Sequence, residues 1–463
     1  MRQILEQIHQ TSMAILAKTG VLIHHSEALE IFKNHGAKVD GEKVFLSEDL
    51  VMRHVKTAPA RFELRATNPQ LNIEIGGPKS HYSTGQGAPL LVDENGHVRT
   101  ITLADYLDLV KLFNASPYMT VMASSIATPG DVPADHAAIL ALYYLCLMTD
   151  KPIIAMNGKG ETNRRVFEIL EIIFGETLCT DRSPLAMTVA NSLSPLSFDD
   201  QALGAIIDFT RKGQAVIVAP CVMAGSTGPV TLAGTIAQTN AETLTGVVLS
   251  QMVAPGSPVV YGFQSTCADM RTGAISIGSP EQALCATYGA NLARFYDLPS
   301  RGGGALTDAS GPGMQSAFES MMTLMTTRQA GMNLIIHGAG IVGGFAAISA
   351  EQVVLDFEMI AALEYFLAGL KTDESELALN VIDNIGPGGQ YLTAPHTVKN
   401  CRRSLYSPRF ARRGPLEGPD YIIAERERLA KEKKRLFEQY IAPDISADIK
   451  KNLDAYMKKE GLI

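Results

Sequence analysis

From about residue 80 to 370 the chain alternates two hydrophobic patterns. Short, unbroken runs rich in β-branched residues end in Gly, Asn, Ser or Pro, and each is followed by a longer segment with helical spacing. Eight such units follow one another. The runs at His81–Thr84, Val121–Ile126, Ile153–Asn157, Ala186–Asn191, Ala215–Pro220, Pro258–Phe263, Leu298–Gly302 and Asn333–His337 predict strands. The segments Ala104–Asn114, Asp135–Met148, Asn163–Phe174, Phe198–Arg211, Val230–Val253, Glu281–Tyr296, Met314–Ala330 and Ala350–Ala368 predict helices. Near-continuous apolar runs such as Val216-Ile217-Val218 and Val259-Val260-Tyr261 are the pattern of parallel strands covered on both faces. Helix starts carry their own signals: Ser197 to Asp200, and Ser279-Pro280-Glu281, put capping and acidic groups where the first N–H groups lack partners.

Eight βα units over about 290 residues match an α/β fold of the (β/α)8 TIM-barrel type, with a doubly wound open sheet as the competing arrangement. The flanks differ from this core. Residues 1–78 predict an N-terminal helical cap: helices Gln3–Lys18 and Ser26–His35, a strand near Lys43–Leu46 and a helix from Ser47 to Thr57. The barrel is expected over 79–370. Residues 371–463 form a C-terminal extension with a Gly/Pro-rich loop, Ile385–His396, and a charged helix, Tyr421–Gln439. That helix mixes six basic with four acidic residues and sets Leu429 and Leu436 one heptad apart, which reads as a solvated helix with one buried stripe.

Composition narrows the function. A formal net charge of −8 argues against a general nucleic-acid binder. No apolar run reaches the ~18 residues of a membrane span, and the N-terminal run holds Glu6 and no apolar signal core, so a cytoplasmic protein is expected. The six scattered cysteines form no disulfide framework and no zinc template. Gly338-Ala339-Gly340-Ile341-Val342-Gly343 fits a dinucleotide fingerprint, but further small residues separate it from the helix near Ala350, and Asp356 falls within that helix. A glycine loop at the end of the eighth strand is the expectation, and an NAD-dependent oxidoreductase the weaker alternative.

Barrel chemistry sits at and beyond the C-terminal ends of the strands. Those positions are Gln86, Asn157, Asn191, Tyr261, Phe263, Gln264, Arg301, Asp308 and His337. Tyr82, Tyr261, Phe263, Phe345 and Tyr391 form an aromatic set suited to holding a quaternary ammonium by the ring quadrupole. Arg271 and Arg301 offer planar forks for a carboxylate. The candidate substrate site is therefore Tyr82, Gln86, Asn191, Tyr261, Phe263, Arg271, Arg301, Asp308, His337, Phe345 and Tyr391.

Longer motifs then bring a resemblance. The run from Tyr261 through Arg271 to Gly273, Gly278-Ser279-Pro280-Glu281, Asp308 with Gln315 and Glu319, Asn333 to Gly340, and Ile385-Gly386-Pro387-Gly388-Gly389 with His396-Thr397 resemble the trimethylamine methyltransferase superfamily over nearly the whole chain. The resemblance implies a TIM barrel that passes a methyl group to the Co(I) corrinoid (cobalamin) of a small cognate partner protein. Trimethylamine enzymes of the superfamily carry pyrrolysine, whereas this sequence uses only standard residues. That implies the branch acting on quaternary amines, glycine betaine first, with proline betaine and carnitine as alternatives. It assigns no catalytic residue here. A homo-oligomer is expected; a non-catalytic barrel binding a compatible solute is the runner-up.

Overall fold

The eight apolar runs pair side by side and close on themselves. In the computed structural model, which describes residues 1–179, 183–416 and 418–463, the strands are β1 His81–Ser83, β2 Met119–Ala123, β3 Ile153–Ile154, β4 Ala186–Ala190, β5 Ala215–Val218, β6 Val259–Gly262, β7 Ser300–Gly303 and β8 Leu334–Ile336. All are parallel and pair in chain order, and β8 returns to β1 through Leu334–His81 and Ile335–Tyr82. The sheet is a closed barrel, which removes the open-sheet alternative. Around it run α1 Leu103–Asn114, α2 Ala134–Met148, α3 Gly160–Phe174, α4 Asp200–Arg211, α5 Leu232–Val253, α6 Pro280–Phe295, α7 Met314–Gln329 and α8 Ala350–Leu367.

Strand pleating sorts the apolar residues into two layers. Val121, Ala123, Ile154, Met187, Ala215, Ile217, Val260, Leu334 and Ile336 fill the inside. Their neighbours Met122, Ile153, Val216, Val218, Val259 and Ile335 join the cluster between strands and helices. The N-terminal end of the barrel is plugged by a hairpin, Arg61–Leu64 with Ile73–Gly76, whose Leu64 and Ile75 complete the inner cluster. Its flanks bond to the segments entering the strands, Arg65 N–H to Pro184 O (3.0 Å) and Asn68 N–H to Asp150 O (3.3 Å). This hairpin lies in a stretch whose sequence pattern predicted no element.

The N-terminal helices Arg2–Ala14, Ser26–Asn34 and Glu48–Val55 pack on α5. Covered on both sides, α5 is buried from Thr235 to Met252. Its threonines satisfy their hydroxyls within the helix, Thr239 to Thr235 O and Thr243 to Thr239 O. The predicted first helix is Arg2–Ala14, followed by a wider turn over Ile15–Thr19. The α4 cap is Asp199, which accepts Ala202 N–H, while Ser197 and Phe198 form a strand bonded to Val21–Ile23, so α4 starts two residues later than predicted. Ser279 caps α6 as expected. The helix Tyr421–Gln439 packs on α8 with Leu436 buried and Leu429 half-buried. A last helix, Ala447–Lys459, adds Leu453 and Met457 to the core. No helix among the described residues is long and apolar enough to cross a membrane.

The plug makes a stability prediction. Leu64→Ala leaves a cavity in a closed interior and is expected to lower the unfolding free energy in urea by about 2–4 kcal/mol. A loss below about 0.5 kcal/mol would show that the hairpin does not seal the barrel.

Candidate active site

At the other end the inner layer changes character. Ala123, Ala219 and Gly262 replace bulky residues, and a Cβ on Gly262 would lie 2.4 Å from Val218 O. The interior opens above them into a cavity of about 490 Å³, lined by Gln86, Ser125, Met156, Asn157, Asn191, Gln201, Cys221, Gln264, Arg301, His337 and Phe345 among others. Its rim is exposed at Gly87, Asn191 and Gln201.

Pleat parity decides which side chains enter. In β6, Val260 points inward; Tyr261 and Phe263 therefore point out, and Gln264 points in. Tyr261 donates its hydroxyl to Asn240 Oδ1 on α5 (2.8 Å) and stacks with Phe263. Tyr82, out of phase in β1, donates to Glu364 of α8, which also pairs with Arg328 of α7 (2.8 Å). These three aromatics belong to the helix layer, a correction to the proposed cage. Arg271 is exposed on a turn held by Asp269, and Tyr391 is exposed on the C-terminal extension. Neither lines the cavity.

Asp308 is also displaced from the expected role. Its carboxylate accepts Ser276 Oγ–H (2.8 Å), Ile277 N–H (2.7 Å) and Gly278 N–H (3.3 Å). Glu319 accepts Thr307 Oγ1–H (2.6 Å), Asp308 N–H (2.9 Å) and Gln315 Nε2–H (2.9 Å). A side chain on Gly278 would meet Glu319 Oε2 at 2.4 Å. These motif residues clamp the loops after β6 and β7. A second buried carboxylate, Glu242, accepts Ser194 Oγ–H (2.6 Å) and Leu196 N–H (2.8 Å) and holds the loop that follows Asn191.

Five expected residues do meet in the cavity: Gln86, Asn191, Arg301, His337 and Phe345. Arg301 is 3% exposed, and among the described residues no carboxylate pairs with it. Its Nη1 donates to Gln264 Oε1 (2.8 Å), while Arg301 Nε, Gln264 Nε2 and Gln86 Nε2 are buried without a partner. Burial brings the guanidinium down to about 10. His337 has a left-handed backbone (φ 57°), and its Nδ1 accepts Gln86 N–H (3.2 Å), leaving the proton on Nε2. Burial, helped by the charge on Arg301, holds this imidazole well below its ordinary value, so it is neutral. Phe345, also left-handed (φ 72°), sets its ring 4.9 Å from that of His337.

Cys221, Ser125, Met156 and Gln201 also line the cavity without having been singled out. The alternation that turns Ala215, Ile217 and Ala219 inward turns Cys221 inward too, and is the signal that finds it. Burial raises its thiol to about 11 against the pull of Arg301. The glycine fingerprint opens a hairpin, Ile341–Val342 with Ala347–Ile348, and α8 starts only at Ala350. The helix therefore does not begin within the glycines, Ser349 N–H at its cap is taken by Gly340 O (3.0 Å), and a pyrophosphate cradle does not form. Asp356 of α8 instead accepts Gly340 N–H (2.7 Å) and Gln352 Nε2–H (2.8 Å).

Fold and cavity define a TIM-barrel enzyme with its pocket at the C-terminal ends of the strands. The chain belongs to the trimethylamine methyltransferase (MTTB) family, whose model matches residues 2–461, and it is a methyltransferase. It is 38% identical over 457 residues to a glycine betaine methyltransferase of Desulfitobacterium hafniense (strain Y51), covering 98% of this chain and 95% of that one. It is 32% identical over 468 residues to a proline betaine:corrinoid methyltransferase of Eubacterium limosum, covering 98% and 96%. The crystal structure of the Methanosarcina barkeri monomethylamine methyltransferase superposes with a TM-score of 0.54 at 13% identity over 94% of each chain, a likeness of fold alone.

Asp356 yields a pH prediction. Burial pushes its carboxyl up to about 8, whereas an unfolded Asp titrates near ~4. Between these values the folded chain holds a proton that the unfolded chain releases, so this group's contribution to stability falls as pH rises. Asp356→Asn is expected to remove that slope, giving a higher Tm than wild type at pH 8. Parallel Tm–pH curves for the two proteins would refute it.

Proposed function

We propose that this chain takes one methyl group from glycine betaine and passes it to the corrinoid of a cognate partner protein, releasing dimethylglycine. One observation carries the reading. A buried guanidinium without an acidic partner, flanked by two buried amide groups with free N–H bonds, opens on a small cavity. Unpaired buried donors cost about 1–3 kcal/mol each, more when charged, so the seat awaits an anion. A betaine supplies one in its carboxylate; trimethylamine has none.

The remaining residues suit the cationic end. The ring of Phe345 stands beside the carboxylate seat and offers a π face to the ammonium. Neutral His337 adds no second positive charge and presents Nε2–H as a further donor. With its carboxylate held at depth by Arg301, Gln264 and Gln86, the substrate turns a methyl toward the exposed rim at Gly87, Asn191 and Gln201. The corrinoid supplies a strongly nucleophilic Co(I) that takes the methyl carbon. The bonding pair stays on nitrogen, which leaves as a neutral tertiary amine and needs no proton. The chain's contribution is to orient the reacting carbon and fix the charge. We place this reaction in the cytoplasm, in keeping with six cysteines that are all free thiols.

The test mixes the chain with its reduced partner and follows loss of Co(I) absorbance. Turnover is expected with glycine betaine, and equal turnover of trimethylamine would defeat the reading. Proline betaine and carnitine test how closely the cavity fits, and binding without turnover would make the chain a solute-binding barrel. Arg301→Gln is expected to raise the KM for glycine betaine about 100-fold, from about 3 kcal/mol of lost charge-assisted bonding. An unchanged KM would move the carboxylate seat elsewhere.

A further inference from the structure

Glu242, Asp308 and Glu319 bond to loops around the mouth and do not line the cavity. The loops they hold share a second feature. After β4, β5 and β6, and at the first residue of α7, one large apolar side chain stands in solvent: Leu193 (59% exposed), Val230 (67%), Met270 (69%) and Met314 (93%). The β1 to β3 side of the mouth instead exposes charge at Glu94, Arg99, Asp131, Lys159 and Glu161. Val98 is the one large apolar side chain exposed on that side among the described residues.

The apolar tips are held firmly from behind. Leu193 follows Asn191 of the cavity rim, and its N–H closes on Ser197 O (2.8 Å). Glu242, buried on α5, fixes the same loop through Ser194 and Leu196. Gln238, one turn earlier on α5, donates to Glu242 (2.9 Å) and to Thr227 O (2.9 Å), which ties the β5 loop to the same point. Val230 and Met270 converge over Gly225, where an added Cβ would lie 3.6 Å from Val230 Cγ2 and 2.6 Å from Met270 Sδ. Asp269 holds the turn at Met270 by accepting Arg271 N–H (2.7 Å), and Asp308 holds the base of that loop. Gln315, next to Met314, donates to Glu319 (2.9 Å). Rigidity under an exposed apolar side chain does little for the free chain, but it lowers the ordering cost when a partner covers that side chain.

The position of the tips names the partner. Co(I) reaches the methyl group through the cavity opening, so the protein that carries it lies across the loops beside that opening. The four side chains present on the order of 500 Å² of apolar surface, about the apolar share of an ~800 Å² footprint. We propose that the corrinoid protein docks on one side of the mouth, on the tips Leu193, Val230, Met270 and Met314, and that Glu242, Asp308 and Glu319 are the positioning residues of this face. The inference rests on the methyl-transfer reading above. The charged β1 to β3 side is left to solvent.

Surface plasmon resonance of the corrinoid protein over the immobilised full chain reads docking without turnover. Leu193→Asp combined with Met270→Asp changes two exposed positions and is expected to raise the Kd for the corrinoid protein at least about 100-fold, with glycine betaine affinity by calorimetry unchanged. An unchanged Kd overturns the docking face, and so does a double variant that loses only self-association, which would assign the face to a second copy of the chain. A wild-type chain that binds the corrinoid protein through these tips but does not turn over glycine betaine would defeat the substrate reading and support the face. Glu242→Gln is expected to raise the same Kd about tenfold while glycine betaine binds as before; an equal loss of both affinities would make Glu242 merely structural and overturn its role. Peroxide footprinting of the wild type needs no variant. Met270 and Met314 are expected to oxidise at least about fivefold more slowly under the corrinoid protein, with Met1, 58% exposed, as the unprotected control. Equal oxidation with and without the corrinoid protein would also overturn the proposal.

Discussion

Closing eight parallel strands into a ring forces every strand to bury both faces, and the rest of this molecule follows from how those faces are filled. Apolar side chains occupy the inside as far as the layer of Ile154, Ile217, Val260 and Ile336, and Leu64 and Ile75 stop the bottom. Above that layer the inward positions become small or polar. The cavity exists because Gly262 and the inner alanines stop filling the barrel before the strands end. Arg301 and Gln264 reach inward at that level, where neighbouring backbone is already committed to the barrel and cannot satisfy them.

The electrostatics of the cavity follow from that burial. One permanent cation is held out of water, the adjacent imidazole is kept neutral, and the thiol of Cys221 stays protonated. The pocket thus has a single charged pole. A single aromatic ring, Phe345, faces the other end of a zwitterion, and a moderate attraction is the useful one. Positive charge on the nitrogen falls as the methyl departs, so a cage strongly selective for cations would stabilise the substrate more than the transition state.

Acidic residues do the structural work around the mouth. Asp308, Glu319 and Glu242 each collect loop N–H and hydroxyl groups that strands and helices leave unpaired, and Asp356 does the same for the turn at Gly340. These carboxylates fix the loops that carry Asn191, Phe345 and the segment after Gln264. Their placement accounts for motif residues that never touch the cavity.

The order of elements was legible in the sequence, because alternating apolar runs and helical spacing leave few arrangements other than a barrel. Its caps were legible too, as at Ser279. The polar half of the site was readable from position alone: Gln86, Asn191, Arg301 and His337 lie at strand ends and do line the cavity. The aromatic half was not. In strands buried on both faces, hydrophobicity carries no period of two, so nothing in Val259-Val260-Tyr261 says which side chain faces the centre. Tertiary structure alone decided that Tyr82, Tyr261 and Phe263 belong to the helix layer and stay out of the pocket. Facing inward or outward is defined only once the ring has closed.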